Sequence, residues 1–250
     1  MWRSPPMGAG SQILLHFSRL EHTPLLPVVV SPPEKATVRT TEAPSPEPEA
    51  STDPLQRYVQ DLSRLGIRSQ EDLNQPTRRR EYVRWLIQAN NRLFADLPSR
   101  QVRPARPQQA PRFKDVPAND PDFTFIQGAA DAGLLPTSGQ QFFPDRPLTR
   151  EQLVQWKILL DLRRPLPPIS AAELRKITGF VDSSRIAAAA RSAIAADMQL
   201  GDLSNLRRSF GFRVQLQPQQ AVTRLESLAS LWSFGTAIDG RSAAQVRAPE

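Results

Sequence analysis

Apolar residues recur at helical spacing in two kinds of segment that alternate along the chain. The shorter kind ends at a glycine. "LQRYVQDLSRLGI" closes at Gly66, "DFTFIQGAADAGLL" at Gly133 and "RIAAAARSAIAADMQLG" at Gly201, with Val59, Ile126 and Ile194 each seven residues upstream. The longer kind carries its apolar face at Tyr82, Val83, Leu86 and Ile87, then Leu153, Val154 and Ile158, then Leu228, Leu231 and Trp232. Both patterns predict amphipathic helices, and the terminal glycines read as left-handed C-caps.

The longer helices open alike, with "PTRRREYVRWLI" from Pro76, "LTREQLVQWKIL" from Leu148 and "VTRLESLASLW" from Val222. Aligning their apolar faces makes Arg79, Arg150 and Arg224 equivalent, 71 and 74 residues apart; Arg78 is the alternative in the first copy if Thr77 is the anchor. Thr149 with Gln152 and Thr223 with Glu226 form capping boxes. An arginine in a first helical turn faces the positive end of the helix dipole, at a cost of about 0.3–1 kcal/mol. Two uses would offset that cost: binding an anion from outside, or pairing with an acid such as Asp115, Asp182 or one from another repeat.

A fixed repeat of entry loop, helix, loop and helix therefore organises the chain. Copies two and three begin with "FKDV" at Phe113 and "FVDS" at Phe180, which place Asp115 and Asp182 18 and 19 residues before their glycines. Pro-rich segments at 97–111 and 163–170 separate the copies, and "SAAELRKITGF" predicts a short extra helix between Ser170 and Gly179. The tryptophans at 85, 156 and 232 fall at similar places in the second helices and read as packing residues.

Composition divides the chain of 250 residues. Residues 1–53 hold nine of the 25 prolines and the stretch "SPPEKATVRTTEAPSPEPEAST". So little apolar surface predicts a disordered segment and Pro/Glu-rich linker. Its first thirty or so residues contain no continuous apolar run long enough for a bilayer; a degenerate targeting peptide and a misplaced start codon both remain open readings. Four basic and six acidic residues precede Pro54, which leaves 28 basic against 19 acidic in the remainder. Arg78, Arg80 and Arg84 form the densest basic patch and suit an anionic partner. Nucleic acid is disfavoured because stacking aromatics are not interleaved with the arginines.

The candidate chemistry is narrow. The chain has no cysteine, and both histidines, His16 and His22, precede the linker. No phosphate loop, nucleophile elbow or paired acidic motif appears, so neither catalysis nor a metal or cofactor is expected.

The order F-x-D-V, helix ending in G-L, F-x-P, then T-R-E and an apolar helix resembles the S-layer homology (SLH) domain. The match is best in "FKDVPANDPDFTFIQGAADAGLLPTSGQQFFPDRPLTREQLVQW", and its divergence is similar to the cyanobacterial and chloroplast branch of that family. The resemblance implies an all-α domain over 54–235 of three helix-loop-helix repeats (about 54–96, 112–163 and 178–235) in a pseudo-threefold arrangement, with a flexible tail at 236–250. It further implies a noncatalytic module anchored to an anionic, peptidoglycan-linked polysaccharide, often one bearing a pyruvate ketal, at the cell envelope. Arg79, Arg150 and Arg224, with Asp115 and Asp182, are the expected ligand residues. The alternative is a scaffold docking an acidic protein partner at the thylakoid or plasma membrane through the basic first copy.

Overall fold

The computed structural model describes residues 53–136 and 139–246; the expectation of disorder in the N-terminal segment lies outside the described residues. Eight α-helices are found among them: α1 (Pro54–Arg64), α2 (Arg79–Leu93), α3 (Phe123–Asp131), α4 (Arg150–Leu162), α5 (Ala171–Thr178), α6 (Ala188–Gln199), α7 (Asn205–Phe210) and α8 (Arg224–Ser230).

Local chemistry sets the helix ends. Asp53 caps α1 through its side chain, accepting from the Leu55 amide, with Pro54 supplying a first-turn residue that needs no amide partner. Gly66 and Gly133 adopt φ values of 80° and 73°. At each of them the following residue donates back into the helix, Ile67 to Leu62 O and Leu134 to Ala129 O, closing Schellman turns that a side chain with a Cβ would strain. Ser170 and Gly179 bracket α5 as expected.

Helix α1 packs on α8, α3 on α2 and α6 on α4. Val59, Ile126 and Ile194 lie in these seams and are buried. Tyr82 is fully buried among the second helices, its hydroxyl 3.1 Å from Ser230 Oγ of α8 and 3.4 Å from the carbonyl of Leu153 in α4. Trp156 packs beside it, with ring centroids 6.4 Å apart.

The segments leading into α2, α4 and α8 join in a closed cycle. Thr77 N donates to Val222 O (2.8 Å), Val222 N to Leu148 O (2.9 Å) and Leu148 N to Thr77 O (2.8 Å). These three residues stand two positions before Arg79, Arg150 and Arg224, so the cycle selects Arg79 over Arg78 as the match in the first copy.

Two expectations need correction. The domain is not purely helical, because β1 (Ser233–Phe234) and β2 (Arg241–Ser242) pair antiparallel, Ser233 with Ser242 and Phe234 with Arg241. Nor is the segment after 235 a free tail as far as 246. Ala243 is buried, Ala243 N donates to Trp232 O (2.7 Å), Arg241 pairs with Asp96, and Asp239 pairs with Arg100. These acids and arginines are 139 and 145 residues apart, a relationship that no local pattern reveals. Helix α7 is also absent from the apolar periodicity, being six residues long.

Candidate functional site

Arg79, Arg150 and Arg224 each occupy the first position of their helix, and all three are at most 9% exposed. The amides around them are not free. Arg79 N donates to Arg146 O, Arg150 N to Gln220 O and Arg224 N to Gln75 O, at 3.0–3.1 Å. The next amides donate likewise, Arg80 to Pro144 O, Glu151 to Pro218 O and Leu225 to Leu73 O. Carbonyls of another repeat thus replace the water that usually satisfies a helix start. These amides are therefore not available to an anion from outside, and only the guanidiniums remain for such a contact.

The guanidiniums differ in what they meet. Arg224 reaches into the first repeat, where Nη2 lies 3.1 Å from Glu81 Oε1 and also pairs with Glu71, while Nη1 donates to Asp72 O. Arg150 reaches into the third repeat. Its Nη1 donates to Leu216 O (3.1 Å) and Gln217 Oε1 (3.0 Å), Nη2 lies 3.8 Å from Glu226 Oε1, and the Phe210 ring covers it at 4.8 Å. Burial lowers the pKa of Arg150, as does Arg213 nearby, with Glu226 acting the other way.

Arg79 forms neither a side-chain hydrogen bond nor an ion pair among the described residues. Its guanidinium lies over the rings of Phe142 (4.7 Å) and Trp156 (5.3 Å), and its Nε is enclosed without an acceptor, as is Trp156 Nε1. Arg150 Nε is likewise without an acceptor, but the rest of that guanidinium is engaged. Burial lowers the Arg79 pKa to about 10; Arg146 adds to the shift, and Asp115 opposes it. A desolvated cation with no counterion is a costly arrangement, and a carboxylate placed on it would recover much of that cost.

The cyclic order explains why Arg79 differs. Arg224 takes the carboxylate two positions after Arg79, which is Glu81, and Arg150 takes the one two positions after Arg224, which is Glu226. The corresponding residue for Arg79 stands two positions after Arg150. It is Gln152, an uncharged amide whose Oε1 accepts from Thr149 N. The alternation Glu81, Gln152, Glu226 was visible in the aligned copies, but only the packing of one repeat on another gives it meaning.

The remaining expected site residues are placed otherwise. Asp115 accepts from the amides of Phe142 (2.8 Å) and Phe143 (2.6 Å), and Asp182 from those of Leu216 (3.0 Å) and Gln217 (2.7 Å). Their carboxylates hold the loop between the two helices of a repeat, so neither is offered to a ligand or to an arginine. The basic patch is not a free positive surface either. Arg80 pairs with Asp120 (3.0 Å), Asp122 (3.4 Å) and Asp145 (2.9 Å), and Arg84 with Asp122 (2.8 Å). Burial works against the charge of Arg80, but Asp145 and Asp120 outweigh it and raise its pKa. Arg78 alone of the three stays about half exposed, 4.0 Å from Glu71.

No cluster of histidine and carboxylate groups able to hold a metal is found among the described residues. None of their helices is long and apolar enough to cross a membrane.

Comparison with protein families matches residues 112–154 to the S-layer homology domain. That stretch runs from the loop before α3 through α3 into the first turns of α4, and includes Asp115, Arg150 and Gln152. No curated protein matches the chain.

Proposed function

Starting from an S-layer homology domain at residues 112–154, a module of cell-surface attachment, we propose that the chain is a noncatalytic anchor for an anionic wall polysaccharide and that Arg79 is its ligand cation. The two flanking segments, 54–96 and 178–235, are read as further repeats of the same kind about a pseudo-threefold axis, a reading supported by the cycle through Thr77, Leu148 and Val222. The compartment that follows is the cell envelope.

One observation carries the ligand assignment. Of three equivalent buried arginines, Arg79 alone lacks a carboxylate partner among the described residues. An acidic sugar substituent would meet a desolvated guanidinium backed by two aromatic rings, an arrangement in which a charge-assisted contact is stronger than on an open surface. Arg150 and Arg224 then hold the repeats to one another. Docking of an acidic protein through Arg78, Arg80 and Arg84 is less well supported, since two of the three are engaged with Asp120, Asp122 and Asp145.

The test is sedimentation of the full chain with purified wall fragments that carry the acidic polysaccharide. Arg79→Ala is expected to abolish retention while leaving the helical circular-dichroism spectrum unchanged. Retention equal to that of the parent protein would overturn the assignment. Fractionation of cells expressing the tagged native-length protein provides the second measurement, and recovery outside the envelope would count against the anchor.

A further inference from the structure

The third repeat presents a surface that the wall-anchoring reading does not use. Phe212 and Val214 are 85% and 73% exposed, Val181 is 47% exposed, and Ile177, next in sequence to the cavity-lining Thr178, is 43% exposed. Val181 N donates to Val214 O (3.0 Å), which joins the entry loop to the segment after α7. Behind this rim lies a cavity of about 350 Å³ lined by Phe180, Met198, Leu206, Phe210 and Leu216. Single exposed apolar residues are ordinary, but four together over an apolar cavity form a patch that calls for a partner.

The charge around the patch has one sign. Arg207 and Arg213 line the cavity, and no acidic residue does. Neither forms an ion pair among the described residues. The Arg207 guanidinium lies 5.2 Å from the Phe212 ring, and its Nε has no acceptor. Arg213 Nε donates to Phe210 O (2.7 Å). Arg175 and Lys176 add two exposed cations at the end of α5. The nearest acid in sequence, Asp182, is turned to the loop amides of Leu216 and Gln217.

From this juxtaposition we infer that the rim of Phe212, Val214, Val181 and Ile177, flanked by Arg207 and Arg213, seats on an anionic lipid surface. Phe212 and Val214 form the outer wall of the cavity and are the most exposed of the four, so their side chains are open to a bilayer interface while Arg207 and Arg213 beside them match its negative charge. Acyl groups take Phe212 and Val214, and headgroup phosphates take the guanidiniums. Attachment is peripheral.

The test is co-sedimentation of the full chain with vesicles of phosphatidylglycerol and phosphatidylcholine in equal parts, against phosphatidylcholine alone. The mixed vesicles are expected to bind at least about tenfold more tightly, a preference that salt removes. The double change Phe212→Ser with Val214→Ser should lower that binding by about tenfold or more, since each side chain loses an apolar environment. Arg207→Gln with Arg213→Gln should erase the preference for phosphatidylglycerol. Phe212, Val214 and Arg213 are exposed and Arg207 is half-buried without an ion-pair partner among the described residues, so thermal unfolding and retention by wall fragments should be unchanged, which separates this surface from the Arg79 site. Absence of vesicle binding, equal binding by the serine variant, or equal affinity for both vesicle types would overturn the inference. Self-association without vesicles that the serine pair abolishes would also overturn it, by assigning the face to a second copy of the chain.

Discussion

Arg224 and Glu81 meet across 143 residues of chain, guanidinium to carboxylate at 3.1 Å, with both side chains buried. The same carboxylate accepts from the amide of Arg78 at 2.7 Å, so one acid serves the start of α2 and the arginine of another repeat. Without Glu81, the buried Arg224 guanidinium keeps only the half-exposed Glu71 and the Asp72 carbonyl. Glu81→Gln is expected to destabilise the fold by about 3–5 kcal/mol. Urea unfolding followed by circular dichroism measures it, and a loss under about 1 kcal/mol would show that Glu71 and the Asp72 carbonyl suffice for Arg224.

Gln152→Glu should do the reverse. It supplies the carboxylate that the cyclic order provides for the other two arginines, so Arg79 gains an internal partner. The expected result is a stabilisation of about 1 kcal/mol, or roughly 2–4 °C in Tm, together with weaker retention by wall fragments because the cation is already neutralised. Calorimetry and the sedimentation assay read the two effects. A more stable protein that binds the wall as well as before would show that Arg79 is not the ligand group.

Lys157 gives a dependence on pH. It is fully buried, donates to Asp161 and to Ser233 O (2.9 Å), and lies 3.7 Å from the Phe234 ring centroid. Burial lowers its pKa from 10.5 to about 8, although Asp161 pulls it upward. Between those values the unfolded chain holds a proton that the folded protein has released, so this group makes stability rise with pH. The slope is at most about 1.4 kcal/mol per pH unit and vanishes below about pH 8, where both states are protonated. Urea midpoints taken from pH 7.5 to 10.5 should show this rise in the parent protein and lose it in Lys157→Met.

Gly128 in α3 is held by close packing, not by an unusual φ. A Cβ there would stand 2.6 Å from Arg103 O and 3.0 Å from Pro104 Cα, both in the backbone of the Pro-rich connection that crosses the helix. Gly128→Ala should therefore cost about 1–3 kcal/mol despite the better helix propensity of alanine. Thermal unfolding decides the sign; a stabilised variant would mean that the connection moves aside without cost.

The helices were legible in the sequence wherever an apolar period and a cap coincide. Gly66, Gly133 and Gly201 with their upstream valine and isoleucines, the boxes at Thr149 and Thr223, and the register of Arg79, Arg150 and Arg224 all rest on local chemistry, and each is found in place. What each charge does was not legible. Asp115 and Asp182 looked available and are consumed by loop amides; Arg80 and Arg84 looked like a free surface and are neutralised by Asp120, Asp122 and Asp145. The arginine pairings follow from the packing of distant segments on one another, and the aspartate pairings from the folding of the loops before α4 and α8; local spacing encodes neither. The position of Gln152 was on the page throughout, but a neutral residue becomes informative only when its neighbours' carboxylates are seen in use.

The seam between α1 and α8 joins the first helix of the domain to its last. In an open solenoid each unit completes its core on its immediate neighbour, and the chain can begin to fold as soon as two units have been made. Here a nascent chain that stops before residue 224 leaves α1 without its partner and Thr77 without the Val222 carbonyl. Joining segments so far apart in sequence carries a loop-closure cost, and the α1–α8 seam forms only once residue 224 has been made. Among the described residues α1 and α8 cover each other's apolar faces, so neither is left open as the end helix of an open stack would be.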